Sequence, residues 1–200
     1  MKSIPQHLRL ENSRVLLETL NKAHLEHLQG VASTPTIWEH YVYDVGKPEV
    51  FHTCYKEAFI SMKAGAEHCF VIIDKSQNRL AGSTRFLGLD LRHKKLEIGW
   101  TWMHPDFWGT GLNEHCKWLL LNYCFEKLNM VRVQFRTDEN NRRSATAIEK
   151  LGARFEGIVR NDYIRDNGTL RNSPVYSILH SEWPQVKSQL ETRIKASGPQ

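Results

Sequence analysis

The sequence predicts a mixed α/β domain whose central sheet is largely antiparallel. Two observations carry this. Three strand-like runs follow one another between His68 and Met103 with only short polar turns between them, which is a meander and not a βαβ alternation. Segments of helical period lie on either side of that block, giving the order β-α-α-β-β-β-α-β-α-β-β. Length agrees: 200 residues, 40% hydrophobic and 24% charged, make one ordinary globular domain. A domain of that size buries roughly 70% of its unfolded surface, so neither a disulfide nor a metal is needed to hold it.

The elements follow in order. Leu8 to Leu20 contains Arg14-Val-Leu-Leu-Glu-Thr-Leu20 and reads as the first strand. Asn21 is an N-cap for a helix over Lys22 to Ala32, which Ser33-Thr-Pro-Thr36 breaks. Trp38 to Tyr43 is aromatic and irregular. Pro48 suits a helix start, and Val50, Cys54, Ala58 and Met62 then recur every fourth residue up to Lys63. Strands are expected at His68 to Ile73, Leu80 to Leu89 and Lys95 to Met103. Alternation along the third would point Leu96, Ile98, Trp100 and Trp102 one way, and Glu97, Gly99, Thr101 and Met103 the other.

His104-Pro105 stops that strand, because proline cannot donate to a ladder. A long amphipathic helix runs from Leu112 to Leu128, a strand from Val131 to Arg136, and a helix from Asn141 to Leu151 with Gly152 at its C′ position. Arg154 to Ile164 and Pro174 to His180 form a last strand pair around Asp166-Asn-Gly168. Val186, Leu190 and Ile194 could line a terminal helix, with Ala196 to Gln200 frayed.

Composition excludes several classes. No run of 18 apolar residues exists and the mean hydropathy is −0.49, so no membrane span is expected. Pro5, His7, Arg9 and Glu11 occupy the place of a signal peptide's apolar stretch. Cys54, Cys69, Cys116 and Cys124 make no metal or disulfide spacing, so reduced thiols in a cytoplasmic protein without metal are expected. The net charge of +5 comes without basic runs of nucleic-acid type, and suits a small polyanionic ligand instead.

The informative segment is strand, proline, Gly109-Thr-Gly111 and long helix. A glycine pair there lets backbone N–H groups approach a phosphate, and the helix N-terminus adds its own free donors. A plain tight turn gives the same pattern. A Walker loop is excluded because Leu112-Asn113 follows Gly111, and a Rossmann fingerprint because Glu114 stands where a small residue is required.

Four stretches in this order resemble the GCN5-related N-acetyltransferase (GNAT) superfamily, in its RimJ/RimL-like branch of ribosomal-protein N-terminal acetyltransferases. They are Leu96-Glu-Ile-Gly-Trp-Thr-Trp102, Pro105-Asp-Phe-Trp-Gly-Thr-Gly-Leu-Asn-Glu114, Asn141-Arg-Arg-Ser-Ala-Thr-Ala-Ile-Glu-Lys-Leu-Gly152 and Phe155-Glu-Gly157. The resemblance covers residues 8–184 as one acetyltransferase domain and leaves 185–200 as a tail, partly helical or frayed. It implies a sheet splayed at its middle, acetyl-CoA as cosubstrate in the splay, and an amine acceptor. The family's Gln/Arg-x-x-Gly-x-Gly/Ala pattern falls on Asp106 to Gly111, with Asp106 departing from it. Backbone N–H groups must then carry the phosphate contact. The cofactor residues implied are Trp102, Met103, Phe107, Trp108, Gly109, Thr110, Gly111, Leu112, Asn141 and Ser144, with an oxyanion donor near Trp102 or Met103.

Glu97 is the carboxylate expected to act as general base; a salt bridge to Lys94 or Arg85 is the competing reading. Many relatives carry a tyrosine as general acid where this chain has Ile148, which cannot donate a proton. Ser144, one turn earlier on the same face, is the replacement; a serine bonding its own helix backbone is the competitor. Asn141 is either a helix cap or a pantetheine partner. Trp38, Tyr41 and Tyr43 either wall the acceptor pocket or pack under a loop. The acceptor expected first is the α-amine of a protein or peptide. Small amines (a polyamine, an amino acid, an aminoglycoside) and a non-catalytic acyl-CoA-binding module are the alternatives, and the protein is expected to be a monomer or a homodimer.

Overall fold

The computed structural model describes residues 4–196. One sheet holds β1 (Arg9–Glu11), β2 (Val15–Thr19), β3 (His68–Asp74), β4 (Arg79–Asp90), β5 (Lys95–Met103), β6 (Arg132–Arg136), β7 (Arg154–Ile164) and β8 (Leu170–Leu179). Their spatial order is β1-β2-β3-β4-β5-β6-β8-β7. Every neighbouring pair is antiparallel except β5 with β6, which the chain joins by a helical crossover, as parallel strands require. The helices are α1 (Leu25–Ala32), α2 (Pro48–Lys63), α3 (Leu112–Asn122), α4 (Arg142–Lys150) and α5 (Trp183–Ala196). A π-helical turn, Tyr123–Lys127, extends α3. Among the described residues no helix is long and apolar enough to cross a membrane.

The sheet separates two cores. On one face Leu112, Cys116 and Leu120 of α3, Ile148 of α4 and Leu190 of α5 pack on Leu96, Ile98 and Met103. On the other, Leu28 of α1 and Phe51, Tyr55 and Ala58 of α2 pack on Val71 and Trp102. All four cysteines are buried free thiols.

The structure corrects the sequence reading at three places. The first strand is two, β1 and β2, because the Asn12 side chain accepts from the N–H groups of Arg14 (3.0 Å) and Val15 (2.8 Å) and turns the chain between them. The last strand, β8, starts at Leu170, four residues earlier than Pro174. The alternation expected along β5 holds only to Gly99. There a bulge interrupts the pairing with β4 between Arg85 and Ser83, and Trp100 adopts φ +49°. Beyond it Thr101 and Met103 join the α3 face with Leu96 and Ile98, while Trp100 and Trp102 turn to the α2 face with Glu97.

Helix α5 is part of the packed body. Val186 and Leu190 are buried against the main core, and Trp183 Nε1 donates to Glu126 Oε1 at 2.8 Å. Of the fraying expected over Ala196 to Gln200, Ala196 is still helical in α5, and 197–200 lie outside the described residues. Because Leu190 is fully buried, Leu190→Ala is expected to cost about 2–5 kcal/mol, read from urea denaturation followed by circular dichroism. A loss below ~1 kcal/mol would mean that α5 stands apart from the domain.

Candidate active site

The site is created where two strands part. β5 and β6 pair only over Lys95–Arg132, Leu96–Val133 and Glu97–Gln134. β5 then runs on to Met103 and β6 to Arg136 without pairing, and an open cleft of about 800 Å³ forms between them. Its walls are the free edge of β5, the loop 107–111, the inner face of α3 at Asn113 and Lys117, and the start of α4.

The direction of the backbone donors on that edge follows from the pleat. His104 N–H donates to Ala81 O on β4, and Trp102 O lies 2.0 Å from where a Cβ on Gly82 would sit, so residues 102 and 104 face β4. Met103 and Thr101 therefore face the cleft. Their carbonyls have found partners there: Trp108 Nε1 donates to Met103 O (3.0 Å) and the Tyr41 hydroxyl to Thr101 O (2.8 Å). By the same alternation the Met103 N–H points to that edge.

The loop ahead of α3 is built on left-handed glycines. Gly109 has φ +73°, and Gly111, the N-cap of α3, has φ +80°. A Cβ at Gly109 would meet nothing within 4 Å, so this backbone borders open space. Asp106 points away from the cleft, to Arg79 at 3.1 Å. Trp108 is capped by the Arg143 guanidinium, 3.4 Å from its ring centroid, and the stack joins the loop to α4.

Glu97 belongs to the last rung of the parallel ladder. Gln134 Nε2 donates to its Oε2 at 2.9 Å, and Arg136 Nε lies 3.6 Å away while that guanidinium binds Asp162 at 2.8 and 3.0 Å. The partners are thus Gln134 and Arg136, not Lys94 or Arg85. Gly99 supplies the room: a Cβ there would stand 2.9 Å from Glu97 Oε1. Burial pushes the Glu97 carboxyl above its ordinary range, against the opposing pull of Arg136 and Gln134.

The other expected site residues divide. Trp102, Met103, Phe107, Trp108, Gly109, Gly111, Asn141, Ser144, Tyr41 and Tyr43 line the cleft together with Glu97. Asn141 is the cap of α4, its Oδ1 accepting from Ser144 N–H at 2.9 Å. The Ser144 side chain lines the cleft, and its hydroxyl makes no hydrogen bond among the described residues. Trp38, Thr110 and Leu112 stand behind the wall. Trp38 is buried against Trp102 and Tyr41 with its Nε1 on Ala32 O, Thr110 Oγ1 donates to Phe107 O, and Leu112 is core.

Sequence reasoning missed Gln134, Arg136 and Lys117. Lys117 had a signal: Leu120, Leu121 and Cys124 follow at +3, +4 and +7, so it sits on an apolar stripe of α3. It is 5% exposed, and its Nζ donates to Thr101 Oγ1 at 2.5 Å.

A GNAT-type sheet with a cofactor-sized cleft at its splay is therefore present. The model of the Acetyltransferase (GNAT) domain matches residues 14–154, and the chain belongs to that family. A Bacillus subtilis protein bearing the name of a ribosomal N-acetyltransferase, YdaF, is 33% identical over 108 residues, 54% of this chain and 58% of that one. The chain spans less than two thirds of the length of the curated relatives it matches. A solved acetyltransferase structure from T. thermophilus is 32% identical, covers 97% of this chain and 100% of its own, and superposes with a TM-score of 0.84. A spermidine N-acetyltransferase from Vibrio cholerae, solved with CoA and spermine, shares the fold at 19% identity and TM-score 0.71, covering 86% of this chain and 99% of its own.

Burial pushes the Lys117 amine down to about 8. The unfolded chain, with an ordinary lysine near ~10.4, then binds more protons over that interval, so this group makes stability rise as pH climbs from about 8 toward ~10. Lys117→Met is expected to lack that rise and to be the more stable protein at neutral pH. Urea midpoints of the two proteins across the interval check it, and parallel pH curves would contradict the assignment.

Proposed function

We propose that this protein transfers the acetyl group of acetyl-CoA to an amine, with the N-terminal α-amine of a protein or peptide as the acceptor. The observation that carries the reading is the free β5 edge: a backbone N–H at Met103 faces a cleft that has a glycine-lined helix N-terminus at one end and a buried carboxylate at the other. The glycines and the α3 N-terminus suit a diphosphate. Met103 N–H suits the thioester oxygen as its negative charge grows, a contact typically worth ~3–4 kcal/mol. Ser144 suits the departing sulfur. Holding both reactants in line supplies up to ~7–11 kcal/mol of the barrier.

Glu97 takes the proton from the incoming amine, directly or through water. Its raised affinity for protons makes it a better base than an ordinary surface glutamate. An α-amine near pKa ~7.8 is about one part in seven neutral at pH ~7, and a lysine near ~10.4 about one in 2,500, so a site that relies on one base suits the former. Charge points the same way. Lys117, Arg136, Arg142, Arg143, Lys150 and Arg171 line the cleft against only Glu97, Glu114 and Asp138, which favours a polyanionic cofactor and disfavours a polycationic acceptor.

Two outcomes test this. Acetyl-CoA is expected to raise the melting temperature of the protein and to acetylate a peptide bearing both a free α-amine and an internal lysine, mainly at the α-amine by mass spectrometry. Predominant ε-acetylation, or faster turnover of spermidine, would overturn the acceptor. Absence of any thermal shift and any thiol release would overturn the transfer itself. Glu97→Gln is then expected to fall about 10³-fold below wild type in kcat at pH ~7 and to close much of that gap at pH ~9, where α-amines are already neutral. Ser144→Ala should lose about 10²-fold or less, with little pH dependence. Equal impairment of Glu97→Gln at both pH values would make Glu97 a positioning residue.

A further inference from the structure

We propose that Lys117 of α3 gives the proton that the departing CoA thiolate needs. This rests on the transfer reading above. Three observations place Lys117 at that task. It is almost completely buried, yet it lines the cleft. Its Nζ is bonded to Thr101 Oγ1, directly after the Trp100 bulge and two residues before Met103, whose N–H faces the same opening. And the described residues offer it no carboxylate.

The surroundings bear out this last point. Cys116 is its neighbour on α3, and Glu114, one turn earlier, is turned to Arg193 at 3.8 Å. From β5 comes Thr101, and from β4 Thr84, whose Oγ1 is 2.7 Å from that of Thr101. Arg143 of α4 borders the same cleft but is stacked on Trp108. Glu97 and Arg136 border it too and are engaged with each other and with Gln134 and Asp162. A buried cation without a counter-charge is costly, so an anion arriving in this part of the cleft is strongly favoured. The anion that chemistry generates there is a thiolate.

The step balances. The amine nitrogen attacks the thioester carbon, the N–C bond forms, and the C–S bond breaks with its electron pair left on sulfur. Lys117 Nζ–H passes its proton to that sulfur and becomes a neutral amine. The proton leaving the acylated nitrogen goes to Glu97 or water, and water in the open cleft recharges Lys117. Ser144 can direct a hydrogen bond at the sulfur, but an alcohol is a far weaker acid than a thiol and cannot be the source. Burial brings the lysine to about 8, close to the ~8.5 of an ordinary thiol, so the transfer is nearly level.

The test compares wild type, Lys117→Met and Lys117→Arg for kcat across pH ~6–10, for acetyl-CoA affinity by calorimetry, and for intact mass after incubation with acetyl-CoA. Lys117→Met is expected to lose about 10²-fold in kcat, to bind acetyl-CoA within about threefold of wild type, and to lose the alkaline fall-off that wild type shows above a pH of about 8. Lys117→Arg keeps the charge but holds its proton, and is expected to recover less than about a tenth of wild-type kcat. Wild-type kcat in Lys117→Met overturns the proposal. So does a loss that is wholly one of cofactor affinity, full rescue by arginine, or an acetyl adduct on Lys117 itself. If wild type acetylates no amine at all, the transfer reading falls and takes this proposal with it. If wild type turns over and Lys117→Met matches it, only the proposal falls.

Discussion

The site depends on the rung at which β5 and β6 stop being partners. Glu97 and Gln134 are opposite one another in the last pair of the parallel ladder, and their side chains are bonded as well. One residue further along, the backbone hydrogen bonds of β5 on that side are unmade. Unpaired strand edges are a liability for most proteins, and burying them without a partner costs still more. Here the edge opens into a cleft in place of a neighbouring strand, and its Thr101 and Met103 carbonyls are capped by Tyr41 and Trp108. The donor at Met103 is what a ligand with an oxygen to offer would complete.

Charge is arranged around that edge in two separate groups. At one end Glu97, Arg136 and Asp162 form a closed set in which each charge has a partner. At the other, Lys117 is held by a hydroxyl alone. In the first group burial raises the Glu97 carboxyl against the pull of Arg136. The second is left wanting an anion. The proposed transfer, which takes a proton off a nitrogen at one place and puts one onto a sulfur at another, would use such a division.

Much of this was legible in the sequence. The strand block from His68 to Met103, the proline stop, the glycine pair and the α4 cap at Asn141 are local signals, each fixed by a residue's own backbone or capping chemistry. Glu97 was legible as a candidate because it lies on the strand that runs into the glycine loop. What the sequence hid was non-local. The partners of Glu97 come from β6, 37 and 39 residues away, and nothing local shows which strand will lie beside β5. The split of the first strand turns on the Asn12 side chain, which a propensity reading of Leu8 to Leu20 passes over. The faces of β5 were misread beyond Gly99 because strict alternation has no place for a bulge.

That bulge explains why an aromatic residue sits in a conformation that side-chain-bearing residues avoid. Trp100 at φ +49° carries a backbone cost of order 1–3 kcal/mol that its surroundings must offset. They are arranged to do so. The Arg85 guanidinium stacks 4.7 Å from the indole and is itself fixed by Glu67 at 3.2 Å, while Tyr41 and Tyr43 flank the ring at 5.7 and 5.5 Å. Without the bulge, Thr101 would lie on the α2 face, away from Lys117, and the N–H of Met103 would point into the β4 ladder. The strain at one tryptophan thus sets which donors and which cation face the opening. The aromatic cluster between α1 and α2 serves the site by holding that tryptophan, even where, as with Trp38, it never reaches the cleft itself.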